Sequence, residues 1–224
     1  MNRRQDFYFV GLAALLVAAS LVASADAHSS AKLHVENVEI GFDGAFKLGY
    51  WTPVRIEFAG GSKTFRGTVE ITTLDSDGVR TVYRTDRDRQ VKFKAGEETV
   101  ILRNIKFGRS SGEVVIRVLD ENKLALEHSF FLEREASASW STNELIVTVG
   151  HEVGVEEALQ VKRRRGTANE AVLTATVENV ERLPDQWLGY EAVDAIVLPT
   201  HDLSMIERLN NQQIDAQVLH HADW

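Results

Sequence analysis

Val54-Arg55-Ile56-Glu57-Phe58 places an apolar side chain at every second position, the period of a strand with one face buried and the other in water. The same alternation recurs outward along the chain, in Val69, Ile71 and Thr73, in Val91 and Phe93, and in Val114, Ile116 and Val118. Turn residues separate these runs at intervals of about ten residues, the signature of an antiparallel sandwich or barrel. Residues 32–135 are therefore expected to form a β-sandwich of immunoglobulin-like type. One run breaks its own pattern. In Val100-Ile101-Leu102-Arg103-Asn104-Ile105-Lys106-Phe107 the parity of Val100 and Leu102 gives way to that of Ile105 and Phe107. Keeping both pairs inside needs one extra residue, which predicts a β-bulge at Arg103-Asn104. The last run, Leu124 to Leu132, carries His128 on its apolar parity, as a core or edge histidine.

The composition changes at Glu135-Ala136-Ser137-Ala138-Ser139, and residues 136–143 are read as a linker. Beyond it, Glu144-Leu145-Ile146-Val147-Thr148-Val149-Gly150 is an apolar run suited to a parallel strand buried on both faces. A helix is expected from Val155 to Arg165, ending at Gly166. Ala171–Val177 and Ala192–Pro199 supply two further strands, and a last helix starts near Leu203. This β-α-β-loop-β-α order predicts a three-stranded parallel unit of partial flavodoxin-like type over residues 144–224.

At the other end, Arg3 and Arg4 precede an apolar run from Phe7 to Ala23 that closes on Ala23-Ser24-Ala25 and Ala25-Asp26-Ala27. Residues 1–27 read as a secretory signal peptide, with an uncleaved membrane anchor as the rival reading. The expected location is the periplasm or cell envelope. A formal net charge of −8 disfavours nucleic acid and anionic lipid as partners. There is no cysteine, so no disulfide and no lipidated cysteine can be built.

Several clusters could carry chemistry. Asp75-Ser76-Asp77-Gly78 has the carboxylates of a calcium loop, but its glycine is fourth where such loops need it sixth, and Asp-Gly between alternating strands is hairpin chemistry. Asp86-Arg87-Asp88-Arg89 reads as a solvated turn, and Lys162-Arg163-Arg164-Arg165 as basic residues complementing a helix C-terminus. His151-Glu152 and His201-Asp202 follow the first and third parallel strands, at the carboxyl edge where ligands bind in open α/β sheets. Neither these nor His220-His221 show metal-ligand spacing, so no catalytic, cofactor or metal residue is assigned. Phe42, Phe46, Tyr50 and Trp51 form the densest aromatic cluster. They are either a plug at the end of the sandwich or a partner-contact platform on a loop.

Leu183-Pro184-Asp185-Gln186-Trp187-Leu188-Gly189-Tyr190, followed by Val193-Asp194-Ala195-Ile196-Val197-Leu198, resembles planctomycete-like bacterial envelope proteins. In these an exported β-sandwich precedes an α/β domain similar to class I glutamine amidotransferases. Gly41-Phe42-Asp43-Gly44 and Trp51-Thr52-Pro53-Val54-Arg55 look like the opening of that sandwich. The resemblance implies a longer, membrane-anchored protein of which this chain is a truncated member. It departs from amidotransferases in having no cysteine nucleophile, and Gly60-Gly61-Ser62 and Gly108-Arg109-Ser110 sit in turns rather than in a nucleophile elbow. The expectation is a non-catalytic exported envelope protein, a binding or adaptor module with an α/β scaffold or sensor segment. Its partner would be an envelope protein or surface polymer, with membrane association through an uncleaved N-terminal segment or a missing C-terminal helix. The alternative is the N-terminal part of an amidotransferase-like enzyme or hydrolase whose catalytic residues lie beyond Trp224.

Overall fold

The alternating runs become the strands β1 (His34–Ile40), β2 (Ala45–Lys47), β3 (Trp51–Ala59), β4 (Phe65–Leu74), β5 (Arg80–Arg84), β6 (Val91–Phe93), β7 (Thr99–Lys106), β8 (Glu113–Asp120) and β9 (Lys123–Phe131). The computed structural model describes residues 32–85, 89–151, 153–164 and 171–211. Expectations for residues 1–27, Asp86 to Asp88, Glu152, the end of the first helix at Arg165-Gly166, and His220-His221 lie outside the described residues.

Two antiparallel sheets are formed, one in the order β1-β3-β7 and one in the order β5-β4-β8-β9, with β6 paired to the start of β4. Val54, Ile56 and Phe58 from the first sheet meet Val69, Ile71, Val114, Ile116 and Val118 from the second. All are at most 2% exposed, and each such side chain contributes roughly 1.5–3 kcal/mol on leaving water. His128 is half-buried opposite Ile116 on β8, its ring 6.1 Å from that of Phe130.

The bulge expected at Arg103-Asn104 is absent. The ladder between β3 and β7 runs without interruption from Trp51 opposite Lys106 to Phe58 opposite Thr99. Ile101 and Ile105 both point inward with Phe107, while Val100 is 45% exposed. The parity was ambiguous because Val100 and Leu102 are apolar on the outward face. The real irregularities lie in β1 between Val35 and Asn37 and in the β8/β9 pair, where Ala125 is the unpaired residue. That extra residue turns Leu124 out to 58% exposure and keeps Leu126 inside. The register predicts that Ile101→Ala costs ~2–5 kcal/mol, as for a buried isoleucine, whereas Val100→Thr stays within ~0.5 kcal/mol. Paired urea titrations check this. Equal costs would mean the inward face has been assigned wrongly.

After β9 the chain makes one helical turn, α1 (Leu132–Glu135), then a short strand β10 (Ser137–Ser139) that pairs in parallel with β2. Residues 136–143, expected as a linker, thus include a hydrogen-bonded strand. The remainder is a small parallel sheet of β11 (Glu144–Val149), β12 (Val172–Val177) and β13 (Ala195–Val197), in the order β12-β11-β13. Its helices are α2 (Val155–Arg164) and α3 (Leu203–Asn211), with 3-10 turns at Val180–Arg182 and Trp187–Tyr190. Leu145, Val147 and Val149 of the central strand are at most 1% exposed, and Met205 of α3 is fully buried against them. β13 is shorter than expected because Ala192 to Asp194 are drawn into a turn, with Val193 N–H donating to Tyr190 O at 2.9 Å. The chain is therefore a mixed α/β protein, rich in strands, with a three-stranded parallel sheet.

Candidate functional site

Gly41 sets the geometry of the aromatic cluster. Its φ is +69°, and a Cβ there would lie 2.1 Å from the carbonyl oxygen of Ala45, so only glycine lets the turn close. Phe42 and Ala45 then exchange backbone hydrogen bonds at 2.9 and 2.8 Å. The turn projects Phe42 away from the two antiparallel sheets and into the core of the parallel unit, where its ring lies 5.8 Å from that of Tyr190. β2 continues by alternation. Ala45 joins Phe42 in that core, while Phe46 points back into the first, 5.2 Å from Phe107.

Phe42 and Phe46 are 2% and 1% exposed, which corrects their candidacy as partner-contact residues: each anchors a different core. Tyr50 is half-buried against the second core. Trp51 is also half-buried. Its backbone N–H donates to Glu191 Oε2 at 2.8 Å, and its indole lies edge-on to Tyr83 at 6.0 Å, with Lys106 Nζ 5.0 Å above the ring.

Polar contacts complete the seam. Lys47 is 3% exposed, and its ammonium donates to Asp194 Oδ2 at 2.5 Å. The same oxygen accepts the N–H of Leu145 at 2.6 Å. Burial opposes ionisation of Asp194, but the hydrogen bonds from Lys47 and Leu145 outweigh it and hold the carboxyl below its ordinary range. Arg182 reaches Glu39 at 3.2 Å, and Lys106 lies 3.7 Å from Glu191. Tyr190 donates its hydroxyl to Pro184 O at 3.0 Å, and burial pushes its pKa well above the usual tyrosine range.

Two clefts open where β5 and β7 end their respective sheets. One of about 260 Å³ is lined by Trp51, Tyr83, Arg103, Asn104, Asp185 and Gln186. The other, of about 380 Å³, is lined by Leu48, Asp75, Ser76, Thr81, Tyr83 and Trp140.

Asp75 Oδ1 accepts the N–H groups of Asp77 and Val79 at 2.9 and 2.8 Å, which makes the segment a side-chain-braced hairpin turn. The carboxyl edge of the parallel sheet does bring His151 and Asp202 together, with Nε2 and Oδ2 3.8 Å apart. Asp202 accepts from Ser204 Oγ at 2.7 Å and from Met205 N at 3.1 Å, capping α3. These bonds hold its carboxyl below the ordinary range, while the His151 side chain is 80% exposed. Among the described residues no group of three or more His, Cys, Asp or Glu side chains could hold a metal ion. Sequence reading missed Lys47, Asp194, Glu191, Tyr83 and Trp140. The available signal was Asp194 itself, a carboxylate set inside the apolar run Ala192–Leu198, which calls for a cationic partner.

A protein-family model described as "Domain of unknown function (DUF8726)" matches residues 35–133, from β1 to the helical turn after β9. No curated protein matches the sequence. Among solved structures, the C-terminal domain of wzt is similar over 48% of this chain and 73% of its own, at 12% identity and a TM-score of 0.36. A Niemann-Pick type C2 protein from Japanese carpenter ant is similar over 51% and 97%, at 11% identity and 0.33. The alkylpurine DNA glycosylase AlkC of Pseudomonas fluorescens, bound to DNA containing an abasic site analog, is similar over 45% and 30%, at 14% identity and 0.31. At these TM-scores they are partial likenesses only.

Proposed function

We propose that the chain is a non-catalytic, exported envelope protein in which an immunoglobulin-like sandwich rigidly carries a partial flavodoxin-like unit, similar to that of class I amidotransferases, as an adaptor for an envelope protein or surface polymer. The carrying observation is β2, whose consecutive residues Ala45, Phe46 and Lys47 serve the second core, the first core and the half-buried ion pair with Asp194. A seam built from core side chains favours one rigid arm over two tethered domains. The strand order β12-β11-β13 corresponds to the first three strands of the flavodoxin-like order 2-1-3-4-5, which supports the reading of the second unit. The amidotransferase chemistry would need a thiolate nucleophile, and the chain contains no cysteine. The arginine-flanked apolar segment at residues 3–27 supports export.

One preparation tests both halves of the proposal. Protein recovered from the cell envelope should have the intact mass of a chain beginning at His28. A brief chymotrypsin nick after Trp140, which is 72% exposed, should leave two pieces that co-elute on gel filtration. Separation of the pieces would refute the rigid adaptor, and an unprocessed chain in the cytosol would refute export.

A further inference from the structure

Trp140, Tyr83 and Trp51 stand along one edge of the two-sheet unit, with Tyr83 bordering the cleft on either side of it. Tyr83 is fixed there. Its hydroxyl donates to Lys106 O at 3.1 Å and accepts from Lys106 N at 3.2 Å, so the ring forms a rib joining the free edges of β5 and β7. Trp51 is held edge-on to that rib and under Lys106. Trp140 is the most exposed of the three, at 72%. Around them lie flat or forked polar groups: Arg103, Asn104, Asp185 and Gln186 on one side, Asp75 and Ser76 on the other. Asn104 Oδ1 is turned away from water, packed beside Gly189, and accepts no hydrogen bond within the chain.

We propose that this track binds a neutral polysaccharide. The inference rests on the adaptor reading above and specifies its surface-polymer partner. Rigid aromatic faces take up the apolar faces of sugar rings at small entropic cost, while amide, guanidinium and carboxylate groups reach pairs of neighbouring hydroxyls. Each cleft is small beside, or at the low end of, the ~300–1,000 Å³ of a pocket that encloses a drug-sized ligand, and two clefts in series suit a chain of ring-sized units. The lining mixes Asp75 and Asp185 with Arg84, Arg103 and Lys106, so the track has no dominant sign of charge, and the −8 of the whole chain disfavours polyanions. Single-stranded nucleic acid would also stack on aromatic rings, but it needs a basic groove.

Native gel electrophoresis of the chain from His28 to Trp224, in gels containing hydroxyethyl cellulose, amylopectin or galactomannan, tests the proposal. Migration should be retarded in at least one gel relative to a polymer-free gel. Trp140→Ala, on an exposed side chain, should weaken the association about tenfold with an unchanged melting temperature. Retardation in none of the three gels, or retardation that Trp140→Ala leaves intact, would overturn the polysaccharide site. That failure is separable from failure of the adaptor reading, because the nicked chain reports the rigid seam whether or not any polymer binds.

Discussion

Asp194→Ala should lower the stability of the folded chain by about 3 kcal/mol, while Lys47→Met should cost less than about 1 kcal/mol. The asymmetry follows from exposure. The Lys47 side chain is 4% exposed and that of Asp194 is 47% exposed, so truncating the aspartate strands a buried ammonium, whereas removing the lysine leaves a carboxylate that water can reach. Asp194→Ala also takes the acceptor from Leu145 N–H at the start of the central parallel strand. The figure sits at the lower end of the ~3–5 kcal/mol seen for broken buried pairs because the space left by the aspartate opens to solvent.

The pH dependence has a definite sign. The folded carboxyl titrates below its ordinary value of 3.8, so its contribution is complete above that value and is lost as pH falls through the folded value. The gap in melting temperature between wild type and Asp194→Ala should therefore be constant near neutrality and shrink below about pH 4. Chemical denaturation of the two variants, with melts down the acid range, checks both statements. Equal costs for the two variants would contradict the buried-ammonium account.

Phe42→Ala should cost ~3–5 kcal/mol, the range for a large aromatic removed from a closed core, and the damage should fall on the parallel unit although the residue belongs to the N-terminal half. Hydrogen exchange reads the distribution. Amides of Leu145 to Val149 should lose protection while those of Val54 to Phe58 keep theirs, because Phe42 packs with the former and not the latter. Phe46→Ala should invert the pattern. Equal loss in both segments for Phe42→Ala would mean that the two cores open as one cooperative unit.

How far the sequence discloses this arrangement depends on what each residue faces. Val54, Ile56 and Phe58, and likewise Val114, Ile116 and Val118, were readable because their intervening residues are polar or half-exposed, so period and burial agree. β7 was misread at Arg103-Asn104 because its outer face carries Val100 and Leu102, and period alone cannot choose between two apolar parities. Glu144 to Val149 was legible as a buried strand from its unbroken apolar run. Phe42 and Phe46 were visible as a cluster, yet nothing local distinguishes a loop platform from a three-residue strand lodged between two cores. That distinction depends on Leu145, Tyr190 and Asp194, far downstream, and on a backbone turn built on positive φ at Gly41, Asp43 and Gly44.

Because Phe42 and Lys47 find their cover only when Tyr190 and Asp194 arrive, the order of synthesis matters. At 5–20 residues per second the interval is on the order of ten seconds. During it the N-terminal unit can complete its own core from Val54 to Leu126 while still presenting a bare phenylalanine and an uncompensated ammonium at its flank. The nascent chain thus holds an adhesive face open until its own later residues close it.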